Sequence, residues 1–253
     1  MKSNVEWQKW GESDPFYGVA AWEGHQRDGA SAWEPERFYA LGRSDWADFV
    51  PRWEQYGLKP EKVVEIGCGA GRLTRPMADH FDRVIALDVA PGMLSVAAKY
   101  AAAPNIEYRL VESSTIPVAD HSVSGVFSTH VFQHFDAQAE AMNYFREIAR
   151  VLQPGGSLMI HLPITIWPSG SGAWVRWPER ARQWKSDTVA RIKRWAISRG
   201  LDAELMKMTT YEAESLFEML DSAELGGVEL SIIRTRSNGA LHPFVLARQA
   251  HDG

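Results

Sequence analysis

Cysteine is nearly absent from this chain of 253 residues: Cys68 stands alone. One thiol excludes an internal disulfide, so the fold must rest on buried apolar surface; the expectation is a reducing, cytoplasmic setting. No apolar run approaches the roughly 20 residues that a membrane span needs, so no membrane partner is expected. The first ten residues lack a basic stretch followed by an apolar core, the mark of a secretory leader. An excess of cations is missing too. The formal net charge is −5, which offers no general attraction to nucleic acid or to an anionic bilayer. Repeats and low-complexity stretches are absent. Tryptophan is missing from residues 54–166, although the chain holds eleven: six lie between Trp7 and Trp53, five between Trp167 and Trp195. What is present is ordinary globular composition, 45% hydrophobic and 23% charged, enough for one large domain with an appendage.

The most informative stretch is Val63-Val64-Glu65-Ile66-Gly67-Cys68-Gly69-Ala70-Gly71. A short apolar run carries an acid and ends in three alternating glycines. Absent side chains let a ligand press against the backbone where a strand turns into a helix. The spacing is GxGxG, not the GxGxxG of dinucleotide sites. Glu65 can accept from an amino group, so the loop suits a ligand carrying an ammonium better than a pyrophosphate.

Residues 61–164 alternate strand and helix signals. Strands are expected at Val63–Ile66, Val84–Leu87, Ile106–Val111, Val123–Ser128 and Ser157–Leu162. Helices are expected over Arg72–His80, from Pro91 to about Ala101, and over Ala137–Leu152, with Asp136 as its cap and Pro154-Gly155-Gly156 as its stop. Repeated units of this length imply a doubly wound parallel α/β sheet. Past Ile164 the rhythm breaks. A helical insertion over 165–207 is expected, then a helix at Thr209–Ser222 capped by Thr209 or Thr210. Two strands follow, Val228–Thr235 and Leu241–Arg248, joined by the hairpin signal Ser237-Asn238-Gly239. Residues 1–60 read as a helical lid and 61–253 as the ligand-binding domain.

The glycine segment resembles motif I of the class I S-adenosylmethionine (SAM) dependent methyltransferases, and the likeness runs over about residues 60–164. It implies a mostly parallel seven-stranded sheet closed by an antiparallel hairpin, with ligand bound at the carboxyl ends of the strands. It also implies SAM as cofactor and S-adenosylhomocysteine as product. Gly67, Cys68, Gly69 and Gly71 would form the cofactor loop beside Glu65. Asp88 would take both ribose hydroxyls, with a helix cap before Pro91 as its structural alternative. Val89 and Met93 would flank the adenine. Glu112, Ser113 and Ser114, followed by Ile116-Pro117, are similar to the family's adenine-facing segment, although the acid is the longer glutamate. Arg72 could pair with the methionine carboxylate, and Thr129, at the end of the fourth strand, joins the cofactor contacts. Trp7 to Val19, with Glu36-Arg37-Phe38-Tyr39, resembles the start of bacterial methyltransferases acting on sugars and secondary metabolites. In those an aromatic closes over SAM, which makes Tyr17 a candidate.

Methyl transfer from a sulfonium is an in-line displacement that requires an aligned acceptor and excluded water. An alcohol acceptor must also lose a proton, and histidine is suited to take it. His130, just past the fourth strand, is the first choice as base, and His134 the second. His161, inside a strand, reads as a core histidine, and His242 starts the last strand. Asp136 could orient His134. No Asp-x-Asp set and no cysteine pair marks a metal, so the reaction is expected to be metal-independent.

Residues 168–200 hold eight Lys or Arg and two acids, a net of +6. On a helix over 178–199, Trp177, Trp184 and Trp195 fall within about 20° of one another. That stripe is either core packing or an aromatic and cationic wall over an acceptor. The reading is O-methylation of a small molecule or glycan, with an anionic or an aromatic acceptor suited to such a wall. N-methylation competes. So does an RNA or protein acceptor docked on the basic helix, although no Asn/Asp-Pro-Pro-Tyr/Phe motif follows the fourth strand to support DNA-base chemistry. A SAM-binding protein without catalysis is a further class.

Overall fold

The computed structural model describes residues 2–165 and 209–249. Strands β1 (Lys62–Ile66), β2 (Arg83–Asp88), β3 (Ile106–Leu110), β4 (Val123–Ser128) and β5 (Leu152–His161) alternate with helices α4 (Thr74–Ala78), α5 (Pro91–Tyr100) and α6 (Gln138–Val151). Three helices precede them: α1 (Lys2–Ser13), α2 (Pro15–Val19) and α3 (Pro35–Tyr56). After them come the short strands β6 (Ile164–Thr165) and β7 (Tyr211–Glu212), then α7 (Ala213–Ser222), β8 (Leu225–Arg234) and β9 (Leu241–Gln249). The main sheet has seven strands in the order β3-β2-β1-β4-β5-β9-β8. The first five run parallel; β9 lies antiparallel between β5 and β8. The expected sheet and its closing hairpin are both present.

Alternation along the strands sorts the core into two faces. Val64, Ile85, Val126 and Leu158 meet α6 and α7 through Phe145, Ile148, Leu216 and Leu220. Val63, Val84, Phe127 and Phe244 meet α3 through Trp46, Phe49, Trp53 and Tyr56. Helix α3 is therefore a full layer of the sandwich, while α1 and α2 lie over α5. The Trp53 indole N–H donates to Ser157 Oγ at 2.9 Å in the middle of that layer.

Several element limits differ from the expected ones. The helix after the glycines is only Thr74–Ala78 rather than 72–80. Positive φ at Gly67, Gly69 and Gly71 (72°, 53° and 81°) cannot enter a right-handed helix, so the chain coils through turns first. Helix α6 begins at Gln138 with Ala137 as its cap residue, and no side chain caps it. The N–H of Asp136 instead donates to Glu140 Oε2 at 3.2 Å. Strand β5 begins at Leu152 because Leu152 already pairs with Val123, and a register shift absorbs the Pro-Gly-Gly turn. Helix α7 starts at Ala213, not Thr209, and neither Thr209 nor Thr210 caps it. Thr209 is held by Gln133 and Phe135 carbonyls, and Tyr211–Glu212 is committed to β6. The expected insertion and its tryptophan stripe lie outside the described residues. Among the described residues no helix is long and apolar enough to cross a membrane.

Trp53 is fully buried and joins α3 to the sheet. Trp53→Ala should lower unfolding free energy by about 3–5 kcal/mol, from lost burial and an unfilled cavity. Urea titration followed by circular dichroism measures it.

Candidate active site

The turn after β1 is held by backbone. The N–H groups of Gly67 and Cys68 both donate to Leu87 O, at 2.8 and 2.9 Å, so the loop is pinned to the end of β2. One residue on, the buried carboxylate of Asp88 accepts from Gly69 N at 2.7 Å and from Ala90 N at 2.9 Å. Burial raises its pKa, and the Ala90 and Gly69 N–H groups oppose that rise. Glu65 is buried beside the loop, and Thr74 Oγ1 donates to it at 2.5 Å. Desolvation pushes the Glu65 carboxyl up to about 7, against the pull of Thr74 and Arg72. An arriving cation would restore its charge.

Arg72 is also buried, and its guanidinium pairs with Asp45 of α3. The other Asp45 oxygen accepts from Ser237 Oγ at 2.6 Å, joining the loop to the terminal hairpin. Among the described residues the buried Arg72 Nε–H has no partner.

These groups surround a cavity of about 110 Å³. Its floor is the glycine loop with Glu65, Arg72, Asp88 and Val89; its wall is Thr129, His130, Val131 and His134. The roof is α1: Ser3, Asn4 and Trp7, with Val19 from α2. Trp7 meets the His134 ring edge-on at 5.1 Å, and Gln8 Nε2 donates to Val89 O at 3.3 Å. The roof fits closely because two glycines meet: a Cβ on Gly92 would lie 2.5 Å from Gly11 O. A wider groove of about 530 Å³, lined by Arg83, Arg109 and Arg150 among others, contains none of the loop residues. Those three cations are paired with Glu107, Glu147 and Asp120, so we assign the chemistry to the smaller cavity.

His130 has φ 58°, a left-handed conformation that non-glycine residues adopt at a cost and usually for a reason. Its ring stands 4.4 Å from that of His161 and 5.2 Å from that of His242. Desolvation lowers His130 to about 3, His161 to about 2 and His134 to about 4, so all are neutral near pH 7. His161 is buried as expected, but in company that its place in the sequence did not suggest.

Residues 64–160 match the methyltransferase domain family model. An uncharacterized methyltransferase-like protein of Schizosaccharomyces pombe is 36% identical over 47% of this chain and 43% of its own length. The malonyl-[acyl-carrier protein] O-methyltransferase of Hahella chejuensis is 32% identical over 42% of this chain and 38% of its own. This chain thus spans less than half the length of either relative. The structure of magnesium protoporphyrin IX methyltransferase from Synechocystis, with bound S-adenosylhomocysteine, superposes with TM-score 0.63 at 14% identity. It covers 98% of this chain and all of its own. Residues 64–160 thus form a methyltransferase domain, and the chain is similar to SAM-dependent methyltransferases in sequence there and in fold throughout the described residues.

The residues of this domain fit SAM. The loop leaves no room for side chains: a Cβ on Gly67 would lie 2.2 Å from Val131 Cγ2. Glu65 can receive the amino group, the unpartnered Nε–H of Arg72 the carboxylate, and Asp88 retains lone pairs for ribose hydroxyls. Of the other expected contacts, Cys68, Val89 and Thr129 line the cavity as well. Gly71 does not; it packs against Ala97 of α5 and Ala101 just beyond that helix. Met93 is buried beneath the N-terminal aromatics. Glu112 and Ser113 are exposed, Ser114 is half-buried, and Val111 lines the cavity in their place. Tyr17 turns instead to Trp10, at 5.7 Å, and its hydroxyl accepts from Gln26. Trp7 is the aromatic over the cavity. It was missed because neighbouring Trp and Tyr residues carry the same signal until the helix is docked.

Gly67→Ala should destabilise the protein by about 2 kcal/mol or more, from left-handed strain and the Val131 clash together. Adding Val131→Ala removes the clash alone and should recover part of that loss in thermal unfolding.

Proposed function

We propose that this protein transfers a methyl group from SAM to an oxygen of a small-molecule or glycan acceptor. The observation that carries the reading is one cavity uniting the glycine loop, Glu65 and Asp88 with two neutral histidines. Bound SAM supplies an electrophilic methyl on a sulfonium. Glu65, Arg72 and Asp88 would fix its two polar ends. The acceptor oxygen would attack the methyl carbon in line as the carbon–sulfur bond breaks with its electrons onto sulfur. The hydroxyl proton would pass to a ring nitrogen at the wall, of His130 or His134. Both rings are neutral, and burial makes them weak bases, so either would take the proton late, as the carbon–oxygen bond forms and the hydroxyl becomes strongly acidic.

In this reading α1 is the lid. The cavity of about 110 Å³ falls short of the roughly 300 Å³ or more of ligand pockets, so α1 must lift for SAM to enter. Trp7 then closes over the reacting groups and excludes water. We place the lid in α1 and α2 and assign α3 to the body of the fold. An oxygen acceptor is supported by the named activity of the Hahella relative and by the histidine wall. An amine acceptor would need less help from a base. Docking of RNA or protein on the basic helix 178–199 rests on residues outside those described.

Asp88→Ala should weaken SAM binding about ten- to a hundredfold, from a lost charged acceptor. Calorimetry would show it; unchanged affinity would remove Asp88 from the ribose site.

Methyl-labelled SAM, incubated with the protein and fractionated bacterial extract, tests the function. Label is expected in small molecules or glycans. Label in nucleic acid or protein would transfer the reading to a macromolecular acceptor. SAM binding without label in any fraction would argue for a binding protein.

A further inference from the structure

Three histidines from distant parts of the chain meet beneath the cavity wall. His161 ends β5 and lies directly opposite Phe244 of β9. His242 is two residues before Phe244, hence on the same sheet face and diagonal to His161. His130 follows β4, and its left-handed backbone turns the chain there. The rings form a closed triangle, with centroids 4.4, 5.2 and 5.4 Å apart. One ligand nitrogen from each lies within 4.8 Å of the others.

Core packing alone does not call for this arrangement. A buried imidazole has two polar nitrogens, and three together are expensive to desolvate where apolar residues would pack as well. His161 Nδ1 accepts a long 3.4 Å bond from the His130 N–H, and His242 Nε2 meets Thr235 Oγ1 at 3.4 Å. Both are weak contacts. Burial favours the neutral imidazole, the form with a lone pair to donate. Among the described residues Arg72 is the permanent cation that acts on His130 and His242, and it is paired with Asp45, so its charge opposes a second cation only in part.

We propose that His130, His161 and His242 form a binding site for a divalent transition-metal ion. Three imidazoles with no thiolate or carboxylate select a borderline ion such as Zn²⁺ or Co²⁺ over Mg²⁺ or Ca²⁺. Tetrahedral coordination at metal–nitrogen distances of about 2.0–2.1 Å places the nitrogens about 3.3 Å apart. The rings therefore draw together on binding, and the long His130–His161 contact yields to the ion. Three histidines leave a fourth position open, as in catalytic zinc sites. His130 lines the cavity, so an acceptor hydroxyl can reach that position and be acidified there. Its proton would then pass to His134, while His130 serves as a ligand. The metal site itself stands independently of the methyl-transfer reading.

The test uses the full chain, freed of metal by chelator dialysis and titrated with Zn²⁺ and Co²⁺. Elemental analysis after gel filtration should find one zinc per chain. Co²⁺ should give the intense visible bands of a four-coordinate site, and Zn²⁺ should raise the thermal midpoint. His161→Gln and His242→Gln should each weaken binding at least tenfold and abolish the midpoint shift. His80→Gln, at a half-exposed histidine paired with Glu54, should change neither. Circular dichroism of the metal-free variants checks their fold, and His130→Gln carries the test if a strand variant fails to fold. No retained zinc and no cobalt bands would overturn the site. So would binding that survives both strand substitutions.

Discussion

The ligand end of this molecule depends on how the backbone turns after β1. Two consecutive N–H groups of the glycine loop bind one carbonyl at the end of β2, and the next residue of β2 is the carboxylate that binds Gly69. Loop and second strand therefore fix each other. A buried carboxylate is tolerated there because backbone donors answer both of its oxygens. The glycines are a consequence of this packing: left-handed dihedrals and the methyl groups of Val131 and Val19 leave no space for a Cβ.

Around that turn the structure concentrates buried polarity that a purely structural core would avoid. Glu65 is shared with Thr74 and Arg72 with Asp45, while Asp45 is held in turn by Ser237. The chain of contacts runs from the cavity floor through α3 to the terminal hairpin. Breaking any one link leaves a buried charge, which is far costlier than losing an exposed ion pair. Among the described residues the buried Nε of Arg72, a residue of the cavity lining, is the one hydrogen-bonding group of this network without a partner.

The roof follows a different logic. Helix α1 is held by a two-glycine crossing, a 3.3 Å hydrogen bond from Gln8, the edge contact of Trp7 with His134, and Trp7 and Trp10 packed over Met93. Helix α3 buries four large aromatics against the sheet. The first packs on α5 and on the cavity; the second packs on the sheet itself.

Much of this was legible in the sequence because it rests on local rules. Alternating apolar strands, a glycine turn with its preceding acid, an acid closing the second strand and a Ser-Asn-Gly hairpin each report their own geometry within a few residues. The sheet, its closing hairpin and most of the cavity floor follow from those signals. Helix starts were less legible: the cap expected of Asp136 was displaced by Glu140, and that of Thr209 by contacts with Gln133 and Phe135. Those contests are settled by partners remote in sequence or by competing side chains. Tertiary structure alone chose Trp7 over Tyr17 for the roof, paired Arg72 with Asp45, and brought His130, His161 and His242 together. No spacing in one dimension encodes a diagonal pair across β5 and β9 joined by a loop from β4. Such a cluster exists only once strand order and register have been set, and both come from packing of the whole sheet.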